Sequence, residues 1–461
     1  MITRKYSYLI AIMLIIVVGT TGNSQNNDFL RDTLPEKWSY SSEFSQTLPT
    51  EDRWWLSFED KCLDSLIEMA VTNNFDVLMA QKRIAMAKNA IRIAQSGYFP
   101  NLSIGAGWAK ERSSGVINDN YNLGLNFNWE IDLFGQITSQ AKEKKALWQA
   151  SKAQYEGTMV ALCANIATAY INLRTWQTQY IVALSHIESQ KQILEMTEVR
   201  FKSGLASMLD VSQARTIYLS TLSSISPLKA NIEVQINSIA ILLGVYSDKL
   251  PFSLTSTTNM PNHITLIPLG IPADLLRRRP DIKEAEYNVA SYAASVGIAK
   301  KDFLPTLSIN GNIGFKSSKI DELFEKNQFV YSIAPTLSWT VFDGLSRNYQ
   351  LQNAKEQYQI GIDNYNNTVM TAVKEVQNAM ITYHYSIIET LELEKVTAEA
   401  FNSLKLSVDL YKRGLTDFSN VLTSQQNYLQ YNNSFVSSKG KSLLALISIY
   451  QALGGGWGSN H

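Results

Sequence analysis

The residues best able to do chemistry in this chain of 461 residues do not assemble into a catalytic set. The four histidines, His186, His263, His384 and His461, are scattered without the spacings that hold a metal. No nucleophile motif occurs, and no glycine-rich loop is placed to cradle a phosphate. Cys62 and Cys163 lie far apart and read as unpaired small apolar residues rather than a disulfide or metal pair. The densest basic run is Arg277-Arg278-Arg279, directly before Pro280-Asp281. Such a run could hold a phosphate or nucleic acid, but at a helix start of this kind ion pairs within the fold are the better reading. Lys+Arg 41 equals Asp+Glu 41, so no global charge draws the chain to nucleic acid. Carboxylates between Asp274 and Glu286 have no partner for acid–base work. The sequence therefore predicts no enzyme, no cofactor and no bound metal. What remain are two similar short segments, Phe201-Lys202-Ser203-Gly204-Leu205 and Tyr411-Lys412-Arg413-Gly414-Leu415, followed in the second by Thr416. Their use depends on what carries them.

Each segment ends a very long helix. Residues 136–203 contain no proline and one glycine, Gly157. As one helix, about 68 residues would run about 100 Å. Every seventh residue from Met159 is apolar: Ile166, Leu173, Tyr180, Ile187, Leu194, Phe201. Leu162, Ala169, Trp176 and Ala183 lie three positions on from the early members, which is a coiled-coil seam. Residues 344–413 repeat the pattern more loosely through Ile362, Val369, Val376 and Tyr383. Gly204 and Gly414 then read as helix stops at hairpin turns.

Elsewhere the period becomes two. Tyr121, Leu123, Leu125, Phe127, Trp129 and Ile131 share one face, and Asn122, Gly124, Asn126, Asn128 and Glu130 share the other. With Leu102, Ile104 and Ala106 they predict a β-hairpin over 102–131, with a polar loop from Arg112 to Asn120. Strands of about 10 residues suit a tilted membrane span, lipid on one side and a watery lumen on the other. A second hairpin, 307–341, alternates likewise, with Pro335 tolerated only at an edge or bulge. No stretch beyond the N-terminus has the 18 or so apolar residues of a membrane helix.

The N-terminus, 1–22, reads as an export signal: Arg4 and Lys5, an apolar run from Tyr8 to Val18, then small residues. An extended arm, 23–60, follows. The rest is a repeat. Tyr98-Phe99-Pro100-Asn101-Leu102 recurs as Phe303-Leu304-Pro305-Thr306-Leu307, and Leu243-Gly244 recurs as Leu453-Gly454. The first repeat, 61–250, holds a helix, a hairpin, a long helix and a returning helix at 207–243, kinked at Pro227. A linker, 251–271, leads to the second repeat, 272–455, with its helix at 280–301 and returning helix at 417–453. A tail, 456–461, closes the chain. The two shorter helices of each repeat, stacked end to end, nearly match the length of its long one. Four strands cannot close a barrel, because an open edge in lipid leaves backbone groups unpaired. Several chains must share one barrel, and three would give a pore.

These features resemble the TolC-like outer membrane factors, in the branch with a NodT-type signature. The resemblance rests on Ile271-Pro272-Ala273-Asp274-Leu275-Leu276-Arg277-Arg278-Arg279-Pro280-Asp281, on Phe303-Leu304-Pro305, on Trp54-Trp55, and on Trp129-Glu130-Ile131-Asp132-Leu133-Phe134-Gly135. It implies a mixed, mainly α fold: a homotrimer with a 12-stranded outer membrane β-barrel and a long periplasmic α-helical barrel. Its implied role is the exit duct of a tripartite efflux system, joined to a periplasmic adaptor and an inner membrane pump, proton-driven by preference. The outlet of a type I protein secretion system, and a structural envelope coiled coil, are the rival readings. The resemblance also implies that the tips dock the adaptor through Lys202, Gly204, Leu205, Arg413, Gly414, Leu415 and Thr416. Relatives close the periplasmic end with aspartate rings, but the matching places here hold Asn420 and Thr423. Closure is then expected to depend more on packing of Tyr411, Phe418 and Leu422. Asp210 and Asp417 read as helix N-terminal charges. Many relatives carry a lipidated cysteine after the signal. Here Thr20 follows Gly19 and no cysteine precedes Cys62, so a lipid anchor is unsupported.

Overall fold

A computed structural model of the chain describes residues 53–113, 115–250, 254, 260–261 and 278–455. The export signal, most of the arm and the linker, the stretch Ile271 to Arg277, and the tail lie outside the described residues.

A 3₁₀ turn, Trp54–Phe58, buries its aromatic rings ahead of the first helix. Trp54 stacks on Tyr450 with ring centroids 5.0 Å apart. Helix α1 (Lys61–Asn73) starts where the Asp60 carboxylate accepts from the amides of Cys62 and Leu63. Asn74 caps α2 (Phe75–Ser96) in the same way, accepting from Asp76 and Val77. Strands β1 (Asn101–Ser113) and β2 (Val116–Ile131) follow, then the long helix α3 (Gln136–Lys202). The chain returns through α4 (Met208–Ser223) and α5 (Ile225–Leu242). The second half has α6 (Pro280–Lys301), β3 (Thr306–Ser317), β4 (Phe329–Ser338), the long helix α7 (Ser346–Lys412) and α8 (Phe418–Ala452). Both long helices have 67 residues, about 100 Å of rise each. No helix among the described residues is long and apolar enough to cross a membrane.

The four strands make one antiparallel sheet in the order β1-β2-β3-β4. The first hairpin differs from expectation. Arg112 to Asn120 is not a loop: pairing continues to Ser113 opposite Val116, and the chain reverses at Gly115, whose φ is +87°. Polar composition alone reads as a loop, but a ladder running past the apolar zone can stay regular while its side chains turn polar. Pro335 lies in β4, an edge strand of this sheet, where its missing donor is tolerated. The returning helix also differs. It breaks at Ser224 into α4 and α5 rather than bending at Pro227. Pro227 has no N–H for the carbonyl four residues earlier. The Ser224 amide instead bonds the Thr221 carbonyl, and the ladder restarts with Leu228 to Ser224.

The two halves are fastened alike where the returning helix ends against the start of the helix that leads into the strands. Asn74 Nδ2 donates to the Leu242 carbonyl at 2.9 Å, joining the end of α5 to the start of α2. Arg279 Nη1 donates to the Ala452 carbonyl at 2.7 Å, joining the end of α8 to the start of α6. End-to-end stacking of the short helices thus has a specific cause in each repeat: a side chain at the new helix start satisfies an orphan carbonyl at the old helix end. Around these joints the core is densest. Met159, Leu162, Ile166, Ala169 and Leu173 of α3 are buried, as are Ile362, Val369 and Val376 of α7 and Leu446 and Ile449 of α8.

Candidate functional site: the strand face and the helix tips

The strand pairing brings the alternating residues into common faces. Across the sheet run the rows Leu102–Phe127–Gly311–Ile333, Ile104–Leu125–Ile313–Tyr331 and Ala106–Leu123–Phe315–Phe329. Trp129–Ile309–Pro335 and Ile131–Leu307–Leu337 continue the same face. The opposite face carries Ser103–Asn126–Asn312–Ser332 and Asn128–Asn310–Ala334. Its side chains bond across strands, with Ser332 Oγ donating to Asn312 Oδ1 at 2.8 Å. The apolar face is bare: Ile104 is 79% exposed and Ile333 74%. In water so large an apolar face would be a liability; against lipid it is the lower-energy arrangement.

Aromatic rings mark the ends of this face. Trp129 Nε1 donates to the Tyr98 carbonyl at 2.9 Å, and Trp339 Nε1 to the Phe303 carbonyl at 3.0 Å, both where α2 or α6 leads into its strand. Trp108 and Tyr121 pair near the other end. From Trp129 to Tyr121 is about 27 Å along β2, the height of a bilayer's apolar band before tilt. Below the sheet, Asp132 accepts from the amides of Ile137 and Thr138 and so starts α3. Burial opposes its charge, but these bonds and that from the Thr138 hydroxyl outweigh burial and hold its carboxyl below the usual range.

At the far end of the long helices both tips close by the same motif. Leu205 N donates to the Arg200 carbonyl and Gly204 N to that of Phe201; Leu415 N donates to the Leu410 carbonyl and Gly414 N to that of Tyr411. Gly204 and Gly414 each have φ +73°, where glycine is favoured. Leu205 is 65% exposed and Leu415 69%. Lys202 and Arg413 are exposed and Thr416 is half-buried. Arg413 pairs with Asp409 at 2.9 Å. Ser207 and Asp210 form a reciprocal cap on α4, which agrees with reading Asp210 as a helix-start charge. Asp417 is the N-cap residue of α8, matching Ser207 in the repeat, while Asn420 stands where Asp210 does.

The residues expected to close the channel divide into two groups. Tyr411 and Phe418 do not face outward. They are buried in one cluster with Ile193, Ala214 and Val421, against which Leu422 packs. Within one chain they clamp α3, α4, α7 and α8 together, so their packing partners are the chain's own helices. Burial, then the charge of Asp210, pushes the Tyr411 hydroxyl pKa up. Asn420 and Thr423 are exposed on α8. Asn420 Nδ2 donates to Thr416 Oγ1 at 2.7 Å. Sequence reasoning missed Arg200. Its guanidinium lies 4.7 Å from the Tyr411 ring centre and donates to the Lys412 carbonyl at 3.0 Å, tying one tip to the other. Its repeat partner is Leu410, so the internal symmetry carried no signal for it. The role of Asn74 was readable in principle, since it aligns with Arg279 once Asp76 is matched to Asp281.

Arg279, expected to form ion pairs, does so. It meets Asp281 and Glu375, each at 2.7 Å. Although burial disfavours its charge, these two carboxylates more than compensate and raise its pKa. Arg277 lies outside the described residues.

Comparison with known proteins agrees with this geometry. The family model described as "Outer membrane efflux protein" matches residues 66–245 and 271–455. The chain is 26% identical over 400 residues to Nodulation protein T of Rhizobium leguminosarum bv. trifolii, covering 86% of this chain and 85% of that one. It is 28% identical over 412 residues to the solvent efflux pump outer membrane protein SrpC of Pseudomonas putida, covering 87% and 86%. Among solved structures, the outer-membrane channel OprN superposes with a TM-score of 0.86 at 29% identity, covering 95% of this chain and 99% of that one. The outer membrane protein VceC of Vibrio cholerae, at 24% identity, shares the fold with a TM-score of 0.79 over 88% of this chain and 99% of its own. With a bare apolar strand face, a polar face behind it, two 67-residue helices and a family model spanning both halves, the chain belongs to the outer membrane efflux protein family.

Proposed function

We propose that three copies of this chain form the exit duct of a tripartite efflux system, passing small toxic compounds outward through the outer membrane. The carrying observation is the register of the sheet. It puts the large apolar strand residues, Val330 and Val116 apart, on one face and leaves β1 and β4 as open edges. In lipid those edges need partners, and the β4 edge of one copy can take the β1 edge of the next. Three copies close twelve strands around an asparagine-lined lumen, while the long helices project into the periplasm of a Gram-negative-type envelope.

Work is done elsewhere. The chain is a passive conduit, coupled by a periplasmic adaptor to an inner membrane pump driven by protons. SrpC, the outer membrane protein of a solvent efflux pump, supports the partnership with a pump. The tips, with Lys202, Gly204, Leu205, Arg413, Gly414, Leu415 and Thr416, dock the adaptor, since two exposed leucines at closed helix ends have nothing of their own to cover. Asn420 and Thr423 face the constriction, and the cluster around Tyr411, Phe418 and Leu422 holds each helix set rigid behind it. Single-channel recording in planar bilayers tests the duct. Discrete conductance steps are expected, and their absence for correctly inserted protein overturns the proposal.

A further inference from the structure

The outer rim of the sheet is uneven. Strand β3 leaves the ladder at Ser317, opposite Tyr121, but β1 and β2 stay paired for five further residue pairs, from Asn120–Ala109 to Val116–Ser113. That projection is mostly polar, with Asn118, Asp119 and Asn120 opposite Glu111, Lys110 and Ala109, and Ile117 opposite Arg112 beyond them. The β3–β4 connection, residues 318–328, sets three apolar side chains among its charged ones. Ile320 is 66% exposed and Phe324 67%, while Leu323 between them is buried.

This connection folds back onto the apolar side of the sheet. The Phe324 ring lies 5.6 Å from that of Phe315, which in turn lies 5.7 Å from Phe329. Phe315 and Phe329 form one pair, and Leu123 is paired with Phe315 on the same face. Ile320 and Leu323 border a shallow cleft with Ala106, Trp108, Tyr121 and Leu123. Ser317, paired with Tyr121, is buried beneath the turn. Charged side chains flank the apolar pair: Lys319 bonds Glu322 at 2.5 Å, and Asp321, Glu325 and Lys326 are exposed. Apolar residues aimed along a lipid-facing surface and charges beside them describe a segment lying in a bilayer interface.

We infer that the β3–β4 connection is a membrane anchor, seating Ile320 and Phe324 at the acyl–headgroup boundary of the outer leaflet around the barrel rim. The inference rests on the barrel reading above and adds a second lipid contact outside the strands. Its occupant is lipid because the segment joins the strand face at its outermost β3–β4 pair, where the Phe324 ring packs against Phe315, the partner of Phe329. In the assembled protein three such segments would ring the barrel and add to the depth set by the aromatic ends of the strand face.

The test uses the unaltered chain in lipid vesicles, with a carbene photolabel dissolved in the bilayer. Trypsin cuts after Lys319 and Lys326 and frees the peptide Ile320–Lys326 for mass spectrometry. Label on Ile320 and Phe324, together with label on the strand residues Ile313 and Tyr331 and none on Asn118 to Asn120, is the expected result. Label on Ile313 and Tyr331 with none in Ile320–Lys326 overturns the anchor and leaves the barrel standing. Absence from the strand residues as well overturns both.

Discussion

Alanine at Gly204 and at Gly244 separates backbone strain from packing, because both glycines close a helix by the same hydrogen-bond pattern. Their φ angles are +73° and +67°, so a side chain at either costs about 1 kcal/mol in the left-handed region. Their surroundings differ completely. A Cβ on Gly204 would meet nothing within 4 Å. A Cβ on Gly244 would lie 2.6 Å from the Asn73 carbonyl oxygen and 3.3 Å from its carbon, both backbone. Relief requires moving the joint where Asn74 bonds Leu242, and overpacking of this kind adds about 1–3 kcal/mol. Gly204→Ala should therefore destabilise by about 1 kcal/mol and Gly244→Ala by about 2–4 kcal/mol. The second repeat should give the same order for Gly414→Ala and Gly454→Ala, since a Cβ on Gly454 would come 3.1 Å from Arg279 Cα. Urea unfolding of detergent-solubilised protein, followed by the helical circular dichroism signal, reads the difference as a midpoint shift at constant slope. Equal losses at both positions, or a larger loss at Gly204, would refute the stacked-helix joint and the freedom of the tips.

Three further outcomes follow from the same geometry. Asn420→Asp or Thr423→Asp, measured as block of single-channel current by divalent cations, should lower the blocking concentration about tenfold by placing clustered carboxylates at the constriction; an unchanged blocking concentration would mean that the constriction lies elsewhere. Arg279→Met should cost about 2–4 kcal/mol in the same urea assay, because it leaves the Ala452 carbonyl without its donor and breaks two ion pairs; Glu375→Gln should cost less, its carboxylate being 45% exposed. His186 is buried with its pKa pushed down to about 4 by desolvation. Between pH 6.5 and 4 the unfolded chain binds the proton and the folded chain does not, so stability should fall as pH falls through that window, and His186→Leu should flatten the slope.

The strand faces were legible because their period is two and the side chains obey it strictly. Tyr121 to Ile131 in the sequence already names the apolar row that the register assembles. The long helices were legible from the absence of proline and from the seam through Met159, Ile166 and Leu173, all buried. Lower down, the apolar pattern failed. Tyr180 and Ile187 are only half-buried and Phe201 is exposed, whereas His186, Gln190 and Thr197 are buried. The row Leu162, Ala169, Ala183, Gln190, Thr197 does keep a seven-residue spacing through multiples of the repeat, but its last members are polar and escape a search for apolar residues. Its companion row moves from three residues before it to four, because α3 meets α6 and α2 above and α4 and α8 below. Tyr411 and Phe418 show the matching limit for the candidate gate. Aromatic residues beside a turn can line a channel or fill a core, and only the folded helix set, with Ile193 and Val421 around them, distinguishes the two. Arg200 had no repeat signature at all, since its partner position holds leucine.

Subunit stoichiometry tests the account most directly, because one chain supplies four strands and two unpaired edges. Native mass spectrometry of the detergent-extracted protein should find three chains per particle. A stable particle of one chain, with its strand edges satisfied in some other way, would contradict the shared barrel on which the proposed duct depends.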